Sequence, residues 1–431
     1  MRLLKNEKVI NIMQKTLNYV DSRLINHGTR VAYLIFKTLK PQNKFDDKQL
    51  RDICILAMLH DIGAYKTEEI DKMVIFETVN VWEHSIYGYL FLKYFSPLKE
   101  LSPAILFHHA DCGDLNCIDP SHRELAQLIS LCDRADVFLQ TSNDLNEFYE
   151  YIKKHRDKKF FSDVIDMFLS ANIDFGKIDE GINSDKDFTK TFYETPMSAK
   201  EADDYIKMII FSIEFRSSST VIHTIATACI SRILAQLCGF NESDIEKVVT
   251  SAMLHDIGKV GIPVNILESP NKLDANEMEI MRTHVDITEK IISENVDEEV
   301  KTIAVNHHEK LDGSGYPKKI SASDISIFDR ILITADIFSA LCGIRSYKGV
   351  FSKEKIVDIL NYMSTQGYID SNMVSLAINN FEYIVKELEK ESQPVIETYN
   401  KLNNEYSEIL ENVKKSKLEG TGLFQKLCNL L

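Results

Sequence analysis

Leu59-His60-Asp61-Ile62-Gly63 and Leu254-His255-Asp256-Ile257-Gly258 are the same five residues, 195 positions apart. An apolar stripe at helical spacing leads into each. Leu50, Ile53, Leu56 and Ala57 precede the first, and Ile245, Val248, Val249 and Ala252 precede the second. Each pentapeptide reads as the end of an amphipathic helix, with the glycine suited to a C-cap. Adjacent His and Asp at such an end can reach one metal ion, or bridge two, from a packed scaffold.

The remaining histidines extend the match. His27, His60, His84, His108 and His109 are followed in the same order by His223, His255, His284, His307 and His308, at offsets of 196, 195, 200, 199 and 199. Of twelve histidines, His122 and His155 alone fall outside. Chance does not order ten histidines this way, so the chain reads as an internal duplication. A final acid completes each set. In the second half it is Asp336; in the first, Ala135-Asp136-Val137-Phe138 matches Ala335-Asp336-Ile337-Phe338 and favours Asp136, with Asp133 as the alternative. Asp274 and Glu277 spell a capping box that opens the helix carrying His284.

Almost every other segment has three-to-four spacing and none alternates convincingly as a strand, so the expected fold is all-α. It comprises two tandem helical domains and a helical tail: residues 1–198, 199–395 and 396–431. The boundary falls near Ala199, after a run interrupted by Gly, Asp, Ser, Lys, Thr and Pro196. Helices are expected through Glu391, with Pro394 as a break. In the tail, Leu402, Tyr406, Ile409, Leu410 and Val413 form a stripe. Its heptads are too few to favour a coiled-coil homodimer over docking on its own domain.

Composition narrows the function. The 431 residues are 44% hydrophobic and 27% charged, as in a globular protein, and Lys+Arg 50 against Asp+Glu 65 gives −15. That balance argues against DNA held by overall charge, so a phosphate-bearing ligand needs local cations or metal. No apolar run approaches a membrane span, and Met1-Arg2-Leu3-Leu4-Lys5-Asn6-Glu7-Lys8 lacks the apolar core of a secretory signal. Eight scattered cysteines suit reduced thiols and a cytoplasmic location; Cys112 and Cys117 have no second pair with which to make a zinc site.

Imidazole and carboxylate without thiolate suit iron, manganese, zinc, nickel or cobalt. Seven candidate ligands in the second half exceed one tetrahedral ion, so two divalent ions are the natural count. Immediately after His307-His308 runs Glu309-Lys310-Leu311-Asp312-Gly313-Ser314-Gly315-Tyr316-Pro317, a turn whose glycines admit positive φ and close approach to a ligand.

These motifs resemble the HD superfamily of metal-dependent phosphohydrolases, and residues 205–395 resemble its HD-GYP branch. The resemblance rests on His223, His255-Asp256-Ile257-Gly258-Lys259-Val260-Gly261-Ile262-Pro263, His284, His307-His308-Glu309, Asp312-Gly313-Ser314-Gly315-Tyr316-Pro317 and Asp336. Arg345-Ser346-Tyr347-Lys348 is similar to the family's basic motif. What this implies is an all-helical domain with a two- or three-metal centre, often iron or manganese. The implied activity is hydrolysis of a cyclic dinucleotide, cyclic di-GMP or cyclic GMP-AMP, to a linear dinucleotide or mononucleotide. Carried over residue by residue, His223, His255, Asp256, His284, His307, His308 and Asp336 are ligands, with Asp256 the bridge. Lys259, Arg345 and Lys348 would hold phosphates, Lys259 would stabilise the transition state, and Tyr316 would line the pocket. Three-metal members carry Glu four residues before the first ligand His; here that position is Ser219, and Glu214 stands nine residues ahead, at a spacing that predicts no contact.

The first half resembles the superfamily without the Gly-Tyr-Pro element. Ala64 stands where Lys259 does, and Ala110-Asp111-Cys112-Gly113-Asp114 follows His108-His109. It is expected to be a degenerate regulatory domain whose second metal site would use His27, His60, Asp61, His84, His108, His109 and Asp136. Two other functions fit parts of the pattern: a binding module that captures the nucleotide without turnover, and an HD-type hydrolase of other nucleotides. Turnover and substrate screening separate them.

Overall fold

The computed structural model describes residues 6–19, 25–64, 82–116, 118–141, 145–215, 222–269, 271–342, 351–419 and Leu427. Among them there are helices and no strand; Arg156 with Phe160 and Asp312 with Ser321 form isolated bridges. No described helix is long and apolar enough to cross a membrane. The chain divides into two compact units. One comprises Met1–Val20 and Tyr205–Tyr399, the other Asp21–Asp204 and Asn400–Leu431.

The division differs from a cut at Ala199 in its ends as well as its middle. Helix Asn6–Asn18 packs on helix Ala275–Ile292, so the first helix of the chain belongs to the second-half unit. Val9, Ile10, Ile12 and Met13 are fully buried, and the Lys15 ammonium donates to the Ser293 carbonyl at 3.2 Å. The tail, in turn, belongs to the first-half unit. Tyr406 meets Tyr87 edge-on with ring centroids 5.5 Å apart, and Lys93 pairs with Glu405 at 3.5 Å. Leu402, Ile409 and Val413 are buried within the chain, which uses the stripe intramolecularly but on the other half.

Pro394 does not break the helix, which runs from Phe381 to Glu419. A mid-helix proline forfeits one hydrogen bond and costs roughly 3 kcal/mol. Burial on both sides outweighs it: Ile384 and Leu388 before the proline, Leu402 and Ile409 after it, each worth about 1.5–3 kcal/mol.

Each unit builds one layout. In the second-half unit helix His223–Leu237 packs on Glu242–Leu254 and on Ile327–Cys342. In the first-half unit His27–Leu39 packs in the same way on Asp47–Met58 and on Pro120–Thr141. The helices that end at the His-Asp pairs begin alike. Asn241 accepts from the Asp244 amide at 3.1 Å, and Asp46 forms a capping box with Gln49. The predicted box at Asp274 and Glu277 is present, with both hydrogen bonds made. Ile230, Ile233, Leu234, Val248, Ile331 and Phe338 form the apolar core beneath the second-half histidines.

Candidate metal centre

Helix Glu242–Leu254 ends just before His255, and a 3-10 turn, Ile257–Gly261, packs its exit against helix Ala275–Ile292. Gly258 makes that contact possible, and not as a C-cap, since it does not have positive φ. A Cβ on Gly258 would meet the His284 carbonyl at 1.9 Å and the Thr288 amide at 2.5 Å. Gly63 is its twin, facing the His84 carbonyl at 2.0 Å. Thr288, fully buried, ties the two segments: its Oγ1 accepts from the Gly258 amide (2.9 Å) and donates to the His255 carbonyl (3.0 Å). Thr288→Val leaves both groups buried and unpaired, and should lower unfolding free energy by about 1–3 kcal/mol in a denaturant titration.

The seven second-half residues converge. Asp256 Oδ2 lies 3.4 Å from His223 Nε2 and 3.2 Å from His255 Nε2. Its Oδ1 lies 3.4 Å from His284 Nε2 and 3.8 Å from His307 Nε2. Asp336 Oδ1 joins the first group, 3.0 Å from His223 and 3.6 Å from His255, while Oδ2 lies 4.0 Å from His308 Nδ1. Asp256 thus offers one oxygen to each of two donor groups. Backbone carbonyls aim the rings: the Nδ1–H groups of His255, His284 and His307 donate to Ala252, Met281 and Ala304 at 2.7, 2.6 and 2.7 Å. That fixes the tautomer and turns Nε2 inward. His223 is aimed by a side chain instead, with Ser339 Oγ 3.2 Å from its Nδ1.

This donor set fits divalent cations. His255 Nε2 and Asp256 Oδ1 are buried without hydrogen-bond partners, a cost that coordination removes. Burial holds His307 well below the usual range and pushes His308 down to about 3, so both rings stay neutral, as ligands must be. Burial opposes charge on His255 too, but Asp256 and Asp336 outweigh it and push the ring up to about 10. Burial likewise opposes ionisation of Asp256, and His255 and Lys259 overcome it, holding the carboxyl well below the usual range.

Lys259 forms an ion pair with Asp256 Oδ2. A cavity of about 420 Å³, its open mouth included, lies beside this pair and is lined by His223, Asp256, Lys259, Ile210, Ile213 and Glu214. Glu214 is therefore within reach of the centre, contrary to the sequence expectation. It ends helix Ala199–Glu214, and the chain returns to the same place by His223. Its Oε1 accepts from the Thr224 amide at 2.7 Å, and burial pushes its pKa up to about 7. Spacing alone hid this because separation along the chain does not fix distance in space: the Thr224 amide, ten residues on, meets the Glu214 carboxylate.

The Gly-Tyr-Pro turn closes another side. Glu309, buried, accepts from the Lys318 and Lys319 amides at 2.6 and 3.0 Å, and Gly313 takes φ 79°. Tyr316 lies against His308 with ring centroids 4.7 Å apart, and the Arg282 guanidinium sits 5.1 Å from the centre of the tyrosine ring. No motif pointed to Arg282, which stands two residues before His284 on helix Ala275–Ile292. Arg345, Lys348 and Ser219 lie outside the described residues.

In the first half the histidines also converge, with Asp61 between two groups. Its Oδ2 is 3.0 Å from His60 Nε2, and Oδ1 is 3.5 and 3.7 Å from His84 and His108 Nε2. Asp136 is not the acid on the inner face. It holds His27 Nδ1 at 2.7 Å and pairs with Arg30, while Asp133 Oδ1 faces His27 Nε2 at 3.5 Å and His60 Nε2 at 3.9 Å. Asp133 corresponds to Asp336 and Asp136 to Ser339, both at an offset of 203. The Ala-Asp-x-Phe likeness misled by one helical turn, because both acids lie on the same helix face.

Comparison with known proteins agrees with this geometry. The family described as HD domain matches residues 205–373. A Vibrio cholerae serotype O1 protein named 3'3'-cGAMP-specific phosphodiesterase 1 is 25% identical over 391 residues, 85% of this chain and 89% of that one. A second from that organism, 3'3'-cGAMP-specific phosphodiesterase 2, is 38% identical over 178 residues, 40% of this chain but 34% of its own length. The Thermotoga maritima protein named cyclic di-GMP phosphodiesterase is 38% identical over 138 residues, 31% of this chain and 38% of that one. Among solved structures, a cyclic GMP-AMP-specific phosphodiesterase of V. cholerae shares the fold at TM-score 0.54 and 17% identity, covering 88% of this chain and 98% of that one. With its His-Asp pairs and its convergent imidazoles, this chain matches the HD domain over residues 205–373 and is similar to proteins named as cyclic dinucleotide phosphodiesterases.

Proposed function

We propose that the second-half unit is a phosphodiesterase that hydrolyses a cyclic dinucleotide, cyclic di-GMP or 3'3'-cGAMP, to the linear dinucleotide and onward to mononucleotide. The observation that carries this is Asp256, whose two oxygens face two separate imidazole groups. His223, His255 and Asp336 would hold one divalent ion, His284, His307 and His308 the other, with Asp256 shared between them. A pair of such ions, iron or manganese as the family resemblance implies, would lower the pKa of water and offset charge gathering on the phosphoryl oxygens.

The chain's own groups do the rest. In the first cleavage water adds to phosphorus, the P–O3' bond breaks, and the freed 3' oxygen takes a proton, leaving a 5'-phosphorylated linear dinucleotide. The carboxylate of Asp256 fixes the Lys259 ammonium at the edge of the cavity, where it can meet the negative charge that builds on phosphorus. Tyr316, backed by Arg282, gives a flat face against which a base can stack. Arg345 and Lys348 would add charge-assisted contacts to the phosphates. Lys259→Met should lower kcat by about 10²–10³-fold with a smaller change in KM, since its charge matters most in the transition state. Steady-state kinetics on the metal-loaded variant check this.

The deciding experiment incubates reduced protein, loaded anaerobically with Mn²⁺ or Fe²⁺, with each cyclic dinucleotide and separates the products by chromatography. Linear dinucleotide or mononucleotide is expected. Tight binding with metal present and no product would instead make the unit a nucleotide sensor.

A further inference from the structure

Tyr316, the tyrosine of the Gly-Tyr-Pro turn, has two flat neighbours. His308 lies against it with ring centroids 4.7 Å apart and planes tilted by 33°, and the Arg282 guanidinium lies 5.1 Å from its ring centre. His308 in turn meets the His284 ring at 5.2 Å. A ladder of flat groups thus runs from the donor group of His284, His307 and His308 out to an exposed guanidinium. Helix Ala275–Ile292 contributes Arg282 and the turn contributes Tyr316, so two separate segments build the outer end. Among the described residues no carboxylate pairs with Arg282. Lys310, in the same turn, is taken up instead by Tyr368, 4.5 Å from the centre of that ring.

The duplication supplies a control. Two residues before His84, where Arg282 has its counterpart, stands Trp82, and the first half has no Gly-Tyr-Pro turn. The arginine and the tyrosine occur together in one half and are missing together from the other.

We propose that Arg282 selects guanine in the substrate, donating two N–H groups to the O6 and N7 acceptors of the base while Tyr316 holds the guanidinium in place. This rests on the phosphodiesterase reading above and names the base that its site requires. A guanidinium lying on a ring keeps its in-plane donors free, and stacking limits the freedom that an exposed arginine loses on binding. Guanine presents both acceptors on one edge. Adenine presents N7 beside an N6 amino donor, and a guanidinium has no acceptor to offer it. Cyclic di-GMP and 3'3'-cGAMP each carry a guanine and fit, whereas cyclic di-AMP sets donor against donor. In 3'3'-cGAMP the held guanine also decides which of the two phosphodiesters reaches the metal centre, so one linear isomer forms first.

The test compares the metal-loaded full chain with Arg282→Lys and Arg282→Gln, by steady-state kinetics and by equilibrium binding of cyclic di-GMP, 3'3'-cGAMP and cyclic di-AMP. The wild type is expected to favour either guanine dinucleotide over cyclic di-AMP by about 10–100-fold, the discrimination of one bidentate contact. Arg282→Lys keeps the charge and loses the fork. It should lose about that factor on the guanine dinucleotides alone and release both linear isomers from 3'3'-cGAMP. Arg282→Gln, whose amide matches adenine N6 and N7, should bring cyclic di-AMP level with cyclic di-GMP. Full guanine preference in Arg282→Lys would mean that charge alone acts, on a phosphate, and would overturn the proposal. So would an equal loss on all three dinucleotides, or a wild type that binds none of them or does not distinguish cyclic di-AMP from cyclic di-GMP. Binding is read without turnover, so a chain that binds guanine dinucleotides selectively and cleaves none upholds Arg282 while refuting the phosphodiesterase reading.

Discussion

Replacing Asp256 by Asn is expected to lower kcat/KM for cyclic dinucleotide hydrolysis by about a thousandfold or more, about 4 kcal/mol of transition-state stabilisation. The substitution keeps shape and one oxygen but exchanges the other for an amide NH₂. One donor group, His223 with His255 or His284 with His307, then faces N–H donors in place of a carboxylate oxygen. Bound metal should fall by about one ion per second-half unit. Lys259 loses its ion-pair partner at the same time, so the variant should also bind substrate less well. Elemental analysis beside steady-state kinetics reads both effects. Full metal content with near-normal kcat would show that Asp256 bridges nothing.

The largest structural effect is expected at Gly258. A methyl group there has to displace the His284 carbonyl and the Thr288 amide, which are backbone atoms and cannot swing away. Overpacking of this kind costs about 1–3 kcal/mol, and a rigid helix contact puts Gly258→Ala at the upper end. For a unit of this size that is a drop of about 6–12 °C in Tm. The same shift separates His255 and Asp256 from His284, so activity should fall more steeply than stability. Differential scanning calorimetry with a parallel activity assay separates the two; unchanged Tm and activity would mean that the segments do not meet there.

The sequence exposed the convergent histidines more clearly than the groups that support them. Ten histidines in one repeated order place the donors without any knowledge of the fold, because coordination permits few substitutes. Supports vary freely: Ser339 orients His223, whereas Asp136 orients His27. The acid that supports His27 was therefore taken for the inward-facing one, and Asp133 was given as the alternative. Glycine in His-Asp-Ile-Gly has two plausible uses, helix capping and close packing, which only the partner helix tells apart. Glu214 lines the cavity beside Lys259, and Arg282 meets Tyr316, through tertiary folding that leaves no periodic trace.

Architecture followed the same division. Helical spacing and duplication were legible because each half must bury its own apolar stripes. Which half the terminal helices cover was not, since an amphipathic stripe states that it will be buried and not where. The continuation through Pro394 has the same origin, a local penalty overruled by burial on both sides.

Anomalous diffraction from crystals of the Mn²⁺-loaded protein tests the central claim most directly. Two peaks are predicted in the second-half unit, one bounded by His223, His255 and Asp336 and one by His284, His307 and His308, with an Asp256 oxygen directed at each. A fully active crystal preparation with a single peak, or with metal elsewhere, would contradict the account.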